Sequence, residues 1–254
     1  MTPVVAIGNA AGSAGKTTTA VSLAALAGAD RRVLVVDADA QATATQWLGA
    51  GPRAVSLGDV LLKQAEPRAA VIETSTPGVW LLPAASRLDG QVKEWERQIG
   101  AEQRLRRILD DVAADFDLVL IDLPGQISTM TVAGLVASDK ALAVTRPTLK
   151  EINGVARFLT AVDEIRDAFA RDTPATAGVI VCEVPPPNAG GLYAAAVQLA
   201  QETWPDLVGP TVRRSVRVPD SFAAGRPLPA VFPAAPVTAD HRLVLDWLTA
   251  RGIL

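Results

Sequence analysis

Seven residues near the start of the chain have the composition of a phosphate-binding loop. Gly12-Ser13-Ala14-Gly15-Lys16-Thr17-Thr18 follows an apolar run and precedes a segment of helix-forming residues. Glycines allow successive backbone N–H groups and a helix N-terminus to face one phosphate, while Lys16 supplies positive charge and the Thr17 hydroxyl a magnesium ligand. A chance Gly-Lys-Thr in a turn is the alternative, and the flanking strand and helix argue against it. The sequence therefore predicts phosphate binding here.

Three aspartates end two later apolar runs, where such a site needs acidic groups. Residues 32–41 contain Asp37 and Asp39, and residues 117–125 contain Asp122. Since the carboxyl ends of parallel strands meet at one edge of a sheet, these carboxylates can hold magnesium through water and orient a nucleophilic water. Each could instead be a helix N-cap or a loop residue, but three beside one phosphate loop favour a site. Asp122 is the Walker-B candidate.

Short runs of Val, Ile and Leu alternate with helical stretches along the whole chain. This pattern predicts an α/β fold with a doubly wound, mostly parallel sheet and helices on both faces, the P-loop NTPase fold. Amphipathic helices are expected at 101–114 and 151–169, and a short strand at 70–73 should pair with the strand at 79–83. The other expected strands are 3–8, 32–37, 117–122, 139–145, 177–183 and 208–213.

Length and composition favour one domain over residues 1–254. Of the 254 residues 49% are hydrophobic, and 24 Lys plus Arg against 27 Asp plus Glu give a net charge of −3. Any DNA contact must therefore come from a local patch. The single cysteine, Cys182, excludes internal disulfides and cysteine metal clusters, and no segment has the length or pattern of a membrane span or signal peptide. These features predict a cytoplasmic protein.

Four stretches resemble the ParA/MinD group of deviant Walker P-loop ATPases, above all the short ParA partition type. In the family's order they extend from residue 3 to about residue 228, so the resemblance covers nearly the whole chain. They are Asn9 to Ala20; the Asp-Ala-Asp-Ala-Gln run of 37–41 with Ala44-Thr45 and Leu48-Gly49; Ile121-Asp122-Leu123-Pro124; and Val212-Arg213-Arg214-Ser215 through Gly225-Arg226-Pro227.

The resemblance implies roles for individual residues and a cycle driven by ATP and Mg²⁺. By matching position, Lys16 neutralises the phosphates, Thr17 binds magnesium, Asp37 and Asp122 hold the metal's water shell, Asp39 assists hydrolysis, and Pro124-Gly125-Gln126 forms the second switch. The family closes into a homodimer with two ATP molecules between the subunits, which hydrolysis releases. Its members segregate or position cargo on nonspecific DNA with an adaptor, here ParB-like or McdB-like.

One residue departs from the family at a position that matters for the dimer. Family members carry a signature lysine where this chain has Ala11, and the general phosphate-loop pattern has glycine at Ala10. Three interpretations compete: a slow or inactive ATPase, a monomeric nucleotide switch, or replacement by another cation. McdA-like carboxysome-positioning ATPases also lack this lysine and supply one from elsewhere. Lys150 is our candidate substitute, and the alternative is a solvated lysine paired with Glu151 or Glu164.

Four arginines form the expected DNA patch: Arg213, Arg214, Arg217 and Arg226. Their family counterparts help to bind DNA without sequence preference, and the alternative is a solvated loop with ion pairs to Asp206 and Asp220. The C-terminal segment 241–254 has too few basic residues for a membrane helix and should pack on the domain. Because the first strand begins at residue 3, no helix-turn-helix extension is expected. The implied location is the nucleoid within the cytoplasm.

Overall fold

A computed structural model of the protein describes residues 2–12, 14–50 and 55–254, and its centre is one seven-stranded sheet. The strands are β1 (Val4–Gly8), β2 (Val33–Asp37), β3 (Ile72–Glu73), β4 (Val79–Leu82), β5 (Leu118–Asp122), β6 (Lys140–Thr145) and β7 (Ala175–Val181). Their order is β3-β4-β2-β5-β1-β6-β7. The edge strand β3 pairs antiparallel with β4, and every other neighbouring pair is parallel.

Twelve α-helices of the described residues surround the sheet. They are α1 (Lys16–Ala27), α2 (Thr43–Trp47), α3 (Leu57–Leu61), α4 (Pro67–Ala70), α5 (Leu88–Trp95), α6 (Arg104–Val112), α7 (Thr129–Ala137), α8 (Leu149–Ala168), α9 (Gly191–Thr203), α10 (Arg217–Ala223), α11 (Leu228–Val231) and α12 (Pro236–Ala250). Three 3₁₀ turns, Ala101–Gln103, Ala113–Asp115 and Pro187–Ala189, complete the set. No helix in the described residues combines the length and the apolarity needed to cross a bilayer.

Apolar side chains fill both faces of the sheet, which is why its strands are continuous apolar runs. On one face Leu34 and Val36 of β2 pack with residues from α3, α5, α6, α7 and α8. On the other face Val33 and Val35 pack with residues from α1, α2, α11 and α12. The doubly wound α/β prediction is therefore confirmed.

The strand predicted at 208–213 is wrong. Val208 and Arg213 make only isolated parallel bridges in the described structure, to Val179 and Val184. Pro210 has no N–H group to donate, so a continuous ladder cannot form through this segment. The predicted strand at 177–183 lies instead at β7, which ends one residue before Cys182.

The remaining predicted elements are present, with shifts of a few residues at their ends. The short strand at 70–73 is β3, which pairs antiparallel with β4 as expected. The helix predicted at 101–114 begins and ends with 3₁₀ turns around α6, and the helix predicted at 151–169 begins two residues earlier as α8. The C-terminal segment forms α12, whose Val237, Val244 and Leu248 are buried in the core.

Candidate functional site

The phosphate loop lies between β1 and α1, and its glycine starts the helix. Gly15 has φ +84, a left-handed conformation that favours glycine, and a Cβ there would lie 2.7 Å from the Cys182 sulfur. No side chain caps α1 at Gly15. Free N–H groups at the start of a 12-residue helix are a site for an anion. Ser13, predicted to belong to this loop, lies outside the described residues.

Lys16 is buried with few partners inside this loop. The residue is 6% exposed, and Nζ donates a hydrogen bond of 3.4 Å to the Ala11 carbonyl. Burial lowers the pKa of Lys16, and the charges of Asp122 and Asp39 oppose that shift. An ammonium group has three donors, so an anion in the loop would satisfy those that remain.

Thr17 and Asp122 form the pair expected of a magnesium site. The Thr17 hydroxyl donates to Asp122 Oδ2 at 2.7 Å, while Asp122 Oδ1 is buried and has no hydrogen-bond partner among the described residues. Burial, then the charge of neighbouring Asp37, raises the pKa of Asp122 to about 8. A cation would relieve this unfavourable burial of charge, and Mg²⁺ prefers oxygen ligands and retained water. The donor set therefore fits magnesium.

Asp37 lies opposite Asp122 in the register of β2 and β5, but protein groups occupy its oxygens. Oδ2 accepts hydrogen bonds from the Thr45 backbone N–H at 2.8 Å and the Thr45 hydroxyl at 2.7 Å, and Oδ1 accepts from the Asp39 N–H at 3.2 Å. Burial raises the pKa of Asp37 to about 6. Asp37 therefore shapes the loop after β2 and lies beside Asp122 at the same time.

Asp39 borders a cavity of about 660 Å³ beside the phosphate loop. The half-buried Asp39 carboxylate accepts a hydrogen bond from the Gln41 N–H at 2.9 Å. Gly12, Lys16 and residues 124–126 line the same cavity. A Cβ on Gly125 would lie 2.8 Å from Gly12 Cα, so the predicted second switch touches the phosphate loop directly. The structure therefore brings Asp39 and the predicted second switch to the same end of the loop.

The loop's other end opens into two smaller cavities separated by an ion pair. Arg146 and Glu183 are 2.5 Å apart and border both cavities, of about 310 and 250 Å³. The larger of these is also lined by residues 14–18, which include the predicted Ala14 and Thr18. Burial raises the pKa of Cys182 to about 12, so this neighbouring thiol stays protonated. A nucleotide bound by its phosphates has room for its nucleoside here.

Lys150 is exposed on the first turn of α8. Across the described ranges it has no ion pair within 4.0 Å, so the alternative pairing with Glu151 or Glu164 is not observed. One turn further along α8, the Gly154 carbonyl accepts a hydrogen bond of 3.3 Å from the Ala10 N–H. The helix that carries Lys150 therefore contacts the phosphate loop, with the Lys150 side chain facing solvent.

The four predicted DNA-binding arginines differ in their surroundings. Arg213 Nε and Nη2 donate to the two oxygens of Asp240 at 2.6 and 2.8 Å. Arg217 lies 3.4 Å from Asp220 and stacks over the ring of Phe232. Arg214 and Arg226 are exposed and form no ion pair with any described residue.

Sequence reasoning missed two polar contacts of the site. Thr45 belongs to one of the stretches that resemble the family, but the sequence does not indicate that it donates two of the hydrogen bonds to Asp37. The Arg146–Glu183 pair joins residues 37 positions apart, and no local pattern signals such a pair. No cluster of three or more His, Cys, Asp or Glu side chains suited to a metal occurs in the described part of the chain. A metal here would therefore need Thr17, phosphate and water as ligands.

Comparison with known proteins agrees with this geometry. Residues 2–173 match the family described as AAA domain. The chromosome partitioning protein ParA of Caulobacter vibrioides is 33% identical over 171 residues, which are 65% of this chain and only 64% of that protein. The chromosome-partitioning ATPase Soj of Thermus thermophilus is 31% identical over 256 residues, 97% of this chain and 95% of that protein.

Among solved structures, an ATP complex of a Cyanothece McdA variant superposes with a TM-score of 0.88. It is 25% identical in sequence, and the match covers 98% of this chain and 96% of that one. The phosphate loop, its magnesium pair and the seven-stranded sheet thus occur together in a chain that matches partition proteins over most of its length. The chain belongs to the ParA/MinD group of P-loop ATPases.

Proposed function

We propose that the chain is a partition-type ATPase that binds ATP with magnesium, closes into a nucleotide-dependent dimer and positions a cargo on nonspecific DNA. The Thr17–Asp122 hydrogen bond beside the buried Lys16 is the observation that carries this proposal. It combines a cation for the phosphates with oxygen ligands for a metal at a helix N-terminus. The similarity to Soj, ParA and McdA supports the positioning role.

ATP and Mg²⁺ are the cofactors of this site. Thr17 and Asp122 would hold the metal and its water, with Asp37 behind them, and bound magnesium would neutralise charge on the phosphates. Residues 12 and 14–18 would surround the phosphates, and the Lys16 ammonium, which now contacts the Ala11 carbonyl, would neutralise their charge. Asp39 lies at the open end of the loop, where it can orient the attacking water.

Lys150 is the proposed substitute for the signature lysine missing at Ala11. Its ammonium is exposed, lacks an ion pair among the described residues, and sits on a helix joined to the loop. Lys150→Ala should abolish ATP-dependent dimerisation and leave nucleotide binding by the monomer intact, as measured by light scattering and titration with an ATP analogue. Normal dimerisation of the variant in ATP would refute the role.

A second candidate is a nucleotide switch that hydrolyses very slowly or not at all and recruits a partner. The absence of a lysine at position 11 favours it, since the charge that would cross the dimer is missing from the loop. Phosphate release measured with added DNA and adaptor separates the two. Stimulated turnover supports the ATPase, whereas ATP-dependent partner binding without turnover supports the switch.

DNA binding would depend mostly on the arginines that form no ion pair with any residue the structure describes. Arg214 and Arg226 are free to contact phosphates, while Asp240 neutralises Arg213 and Asp220 lies near Arg217. Dimerisation would double the number of contacts. Duplex binding should require ATP and weaken from low to moderate salt, and an Arg214→Ala/Arg226→Ala double variant should lose most of it. DNA binding of equal strength with and without ATP, at every salt concentration, would contradict a partition role.

The cargo depends on an adaptor. A ParB-like adaptor would direct the protein to plasmid or chromosome DNA, and a McdB-like adaptor to a carboxysome or similar body. In either case the proposed location is the cytoplasm, on the nucleoid, without a membrane partner. Co-purification of a tagged chain with ATP, followed by identification of the bound protein, would distinguish the two classes.

A further inference from the structure

Helix α8 is attached to the start of the phosphate loop by three hydrogen bonds. The Ala10 N–H donates to the Gly154 carbonyl at 3.3 Å, and Asn9 Nδ2 donates to the Glu151 carbonyl at 3.2 Å. Arg157 Nη2 donates to the Ala10 carbonyl at 3.0 Å. The first two bonds are made by backbone or buried groups, but Arg157 is an exposed side chain that reaches the loop from outside.

The close approach of helix and loop depends on the absence of a side chain at Gly154. A Cβ on that residue would overlap the side-chain oxygen of Asn9 and lie 2.9 Å from Ala11 Cβ. Ala11 is only 4% exposed as a result. Position 11 is thus packed against α8, and Arg157 of that helix contacts the neighbouring Ala10 carbonyl.

Two cations hold adjacent carbonyls of the loop. Lys16 Nζ is 3.4 Å from the Ala11 oxygen, and Arg157 Nη2 is 3.0 Å from the Ala10 oxygen. When nucleotide binds, the Lys16 ammonium would pair with the phosphates and give up the Ala11 carbonyl. Arg157 would then be the cation that still holds the loop. The Ala10 C=O and the Ala11 N–H belong to one trans peptide, in which the two groups point in opposite directions. A carbonyl held toward Arg157 therefore directs the Ala11 N–H away from Arg157. That N–H has no acceptor among the described residues and is free for an anion.

We propose that Arg157 is a positioning residue for the phosphate loop. By holding the Ala10 carbonyl, it keeps the loop curled around the phosphates while Lys16 moves onto them. The inference rests on the proposed nucleotide binding. It differs from the role proposed for Lys150, because Arg157 acts within its own subunit and before any dimer forms.

The test is titration of the full-length chain with a fluorescent ATP analogue and magnesium, at concentrations where the protein is monomeric. Arg157→Ala should weaken binding roughly fivefold to tenfold, as expected for loss of one ordinary hydrogen bond made by an exposed side chain. Arg157→Lys should recover part of the loss, since an ammonium can also donate to the carbonyl. Arg166→Ala is the matched control, because Arg166 lies on the same helix and pairs with Asp163 instead of the loop.

Steady-state hydrolysis and thermal unfolding complete the test. Arg157→Ala should raise KM for ATP in the same proportion, with kcat and the melting temperature unchanged. Wild-type affinity in Arg157→Ala, or a loss equal to that of Arg166→Ala, would overturn the positioning role alone. A fall in kcat at constant KM would also overturn it. If the wild-type chain itself bound no nucleotide, the proposed function would fail and this inference with it.

Discussion

Two buried carboxylates on neighbouring strands give the site its electrostatic character. Asp37 and Asp122 lie side by side in the register of β2 and β5, and each is 1% exposed or less. Burial raises the pKa of both carboxyls. The charges of Asp37 and Asp39 raise the pKa of Asp122 further, and the charge of Asp39 adds to the rise at Asp37. Without a cation, the folded protein therefore holds negative charge at a cost, which magnesium would remove.

The first prediction concerns Asp122→Asn in magnesium-free buffer. The folded pKa of Asp122, about 8, exceeds the ordinary 3.8, so this carboxyl's contribution to stability is complete below pH 3.8 and is lost as pH rises through 8. Asparagine can still accept the Thr17 hydroxyl hydrogen bond and never ionises. The variant should therefore gain on the order of 3 kcal/mol in free energy of unfolding, relative to wild type, between pH 5 and pH 8.5.

Urea unfolding in the presence of EDTA measures this difference. Asp110→Asn is the control, because Asp110 is an exposed aspartate on α6. Its replacement should change the free energy of unfolding by the same amount at pH 5 and at pH 8.5. A constant difference between Asp122→Asn and wild type across the pH range would refute the prediction. In magnesium the same variant should lose nucleotide binding, since the uncharged amide would no longer help to hold the metal and its water beside Thr17.

Local motifs identified the core of this site, but not its outer partners. Lys16 and Thr17 are adjacent in one loop, and Asp122 ends a strand whose neighbour in the sheet follows from the fold, so their meeting was predictable. The contact of Asp240 with Arg213 was not, because it joins a loop to a helix face 27 residues away. The sequence showed a basic cluster, but it could not show which of its charges are neutralised.

At the scale of elements, α8 serves as both a core helix and a support for the loop. Its Val155, Phe158 and Val162 are buried under the sheet, as the apolar periodicity of 151–169 predicted. The periodicity could not reveal the second contact, because Gly154 meets Asn9 across more than 140 residues of chain. A glycine inside a helix weakens it by about 1 kcal/mol relative to alanine, so this one needs a packing reason.

The second prediction follows from that contact. Gly154→Ala should destabilise the protein by about 1–3 kcal/mol, because the new methyl overlaps the Asn9 side chain and separates helix from loop. Nucleotide affinity should fall as well. Gly90→Ala in α5 is the matched control: a Cβ there meets nothing within 4 Å, so helix propensity should stabilise that variant by up to about 1 kcal/mol. Equal behaviour of the two variants in chemical denaturation would contradict the prediction.

Over the whole molecule, the sheet divides the interior into two cores, and α12 closes one of them. His241, the chain's single histidine, is 1% exposed on this helix, and its Nδ1–H donates to the Val237 carbonyl at 2.9 Å. Burial lowers the pKa of His241, and the hydrogen bond to Val237 and the charge of Asp240 oppose the shift less strongly. Protonation of this ring would place a charge inside the second core.

The third prediction is acid sensitivity that depends on His241. Because its folded pKa is below the ordinary 6.5, its contribution to stability is present above pH 6.5 and is lost as pH falls from 6.5 toward the folded pKa. His241→Gln stays neutral, so between pH 7.5 and pH 5 its free energy of unfolding should fall by about 1 kcal/mol less than that of wild type. Parallel pH curves for the two proteins in urea unfolding would exclude this role.

The packing of Ala11 against α8 also constrains how this sequence can change. Ala11 and Gly154 fit each other because both residues are small. A larger side chain at either position would overlap the residue at the other. A lysine at position 11 would therefore depend on what stands at position 154: unless the helix moved away, the longer side chain would have no room on this face of the loop. A cation for this end of the site is more easily supplied from α8 than from position 11.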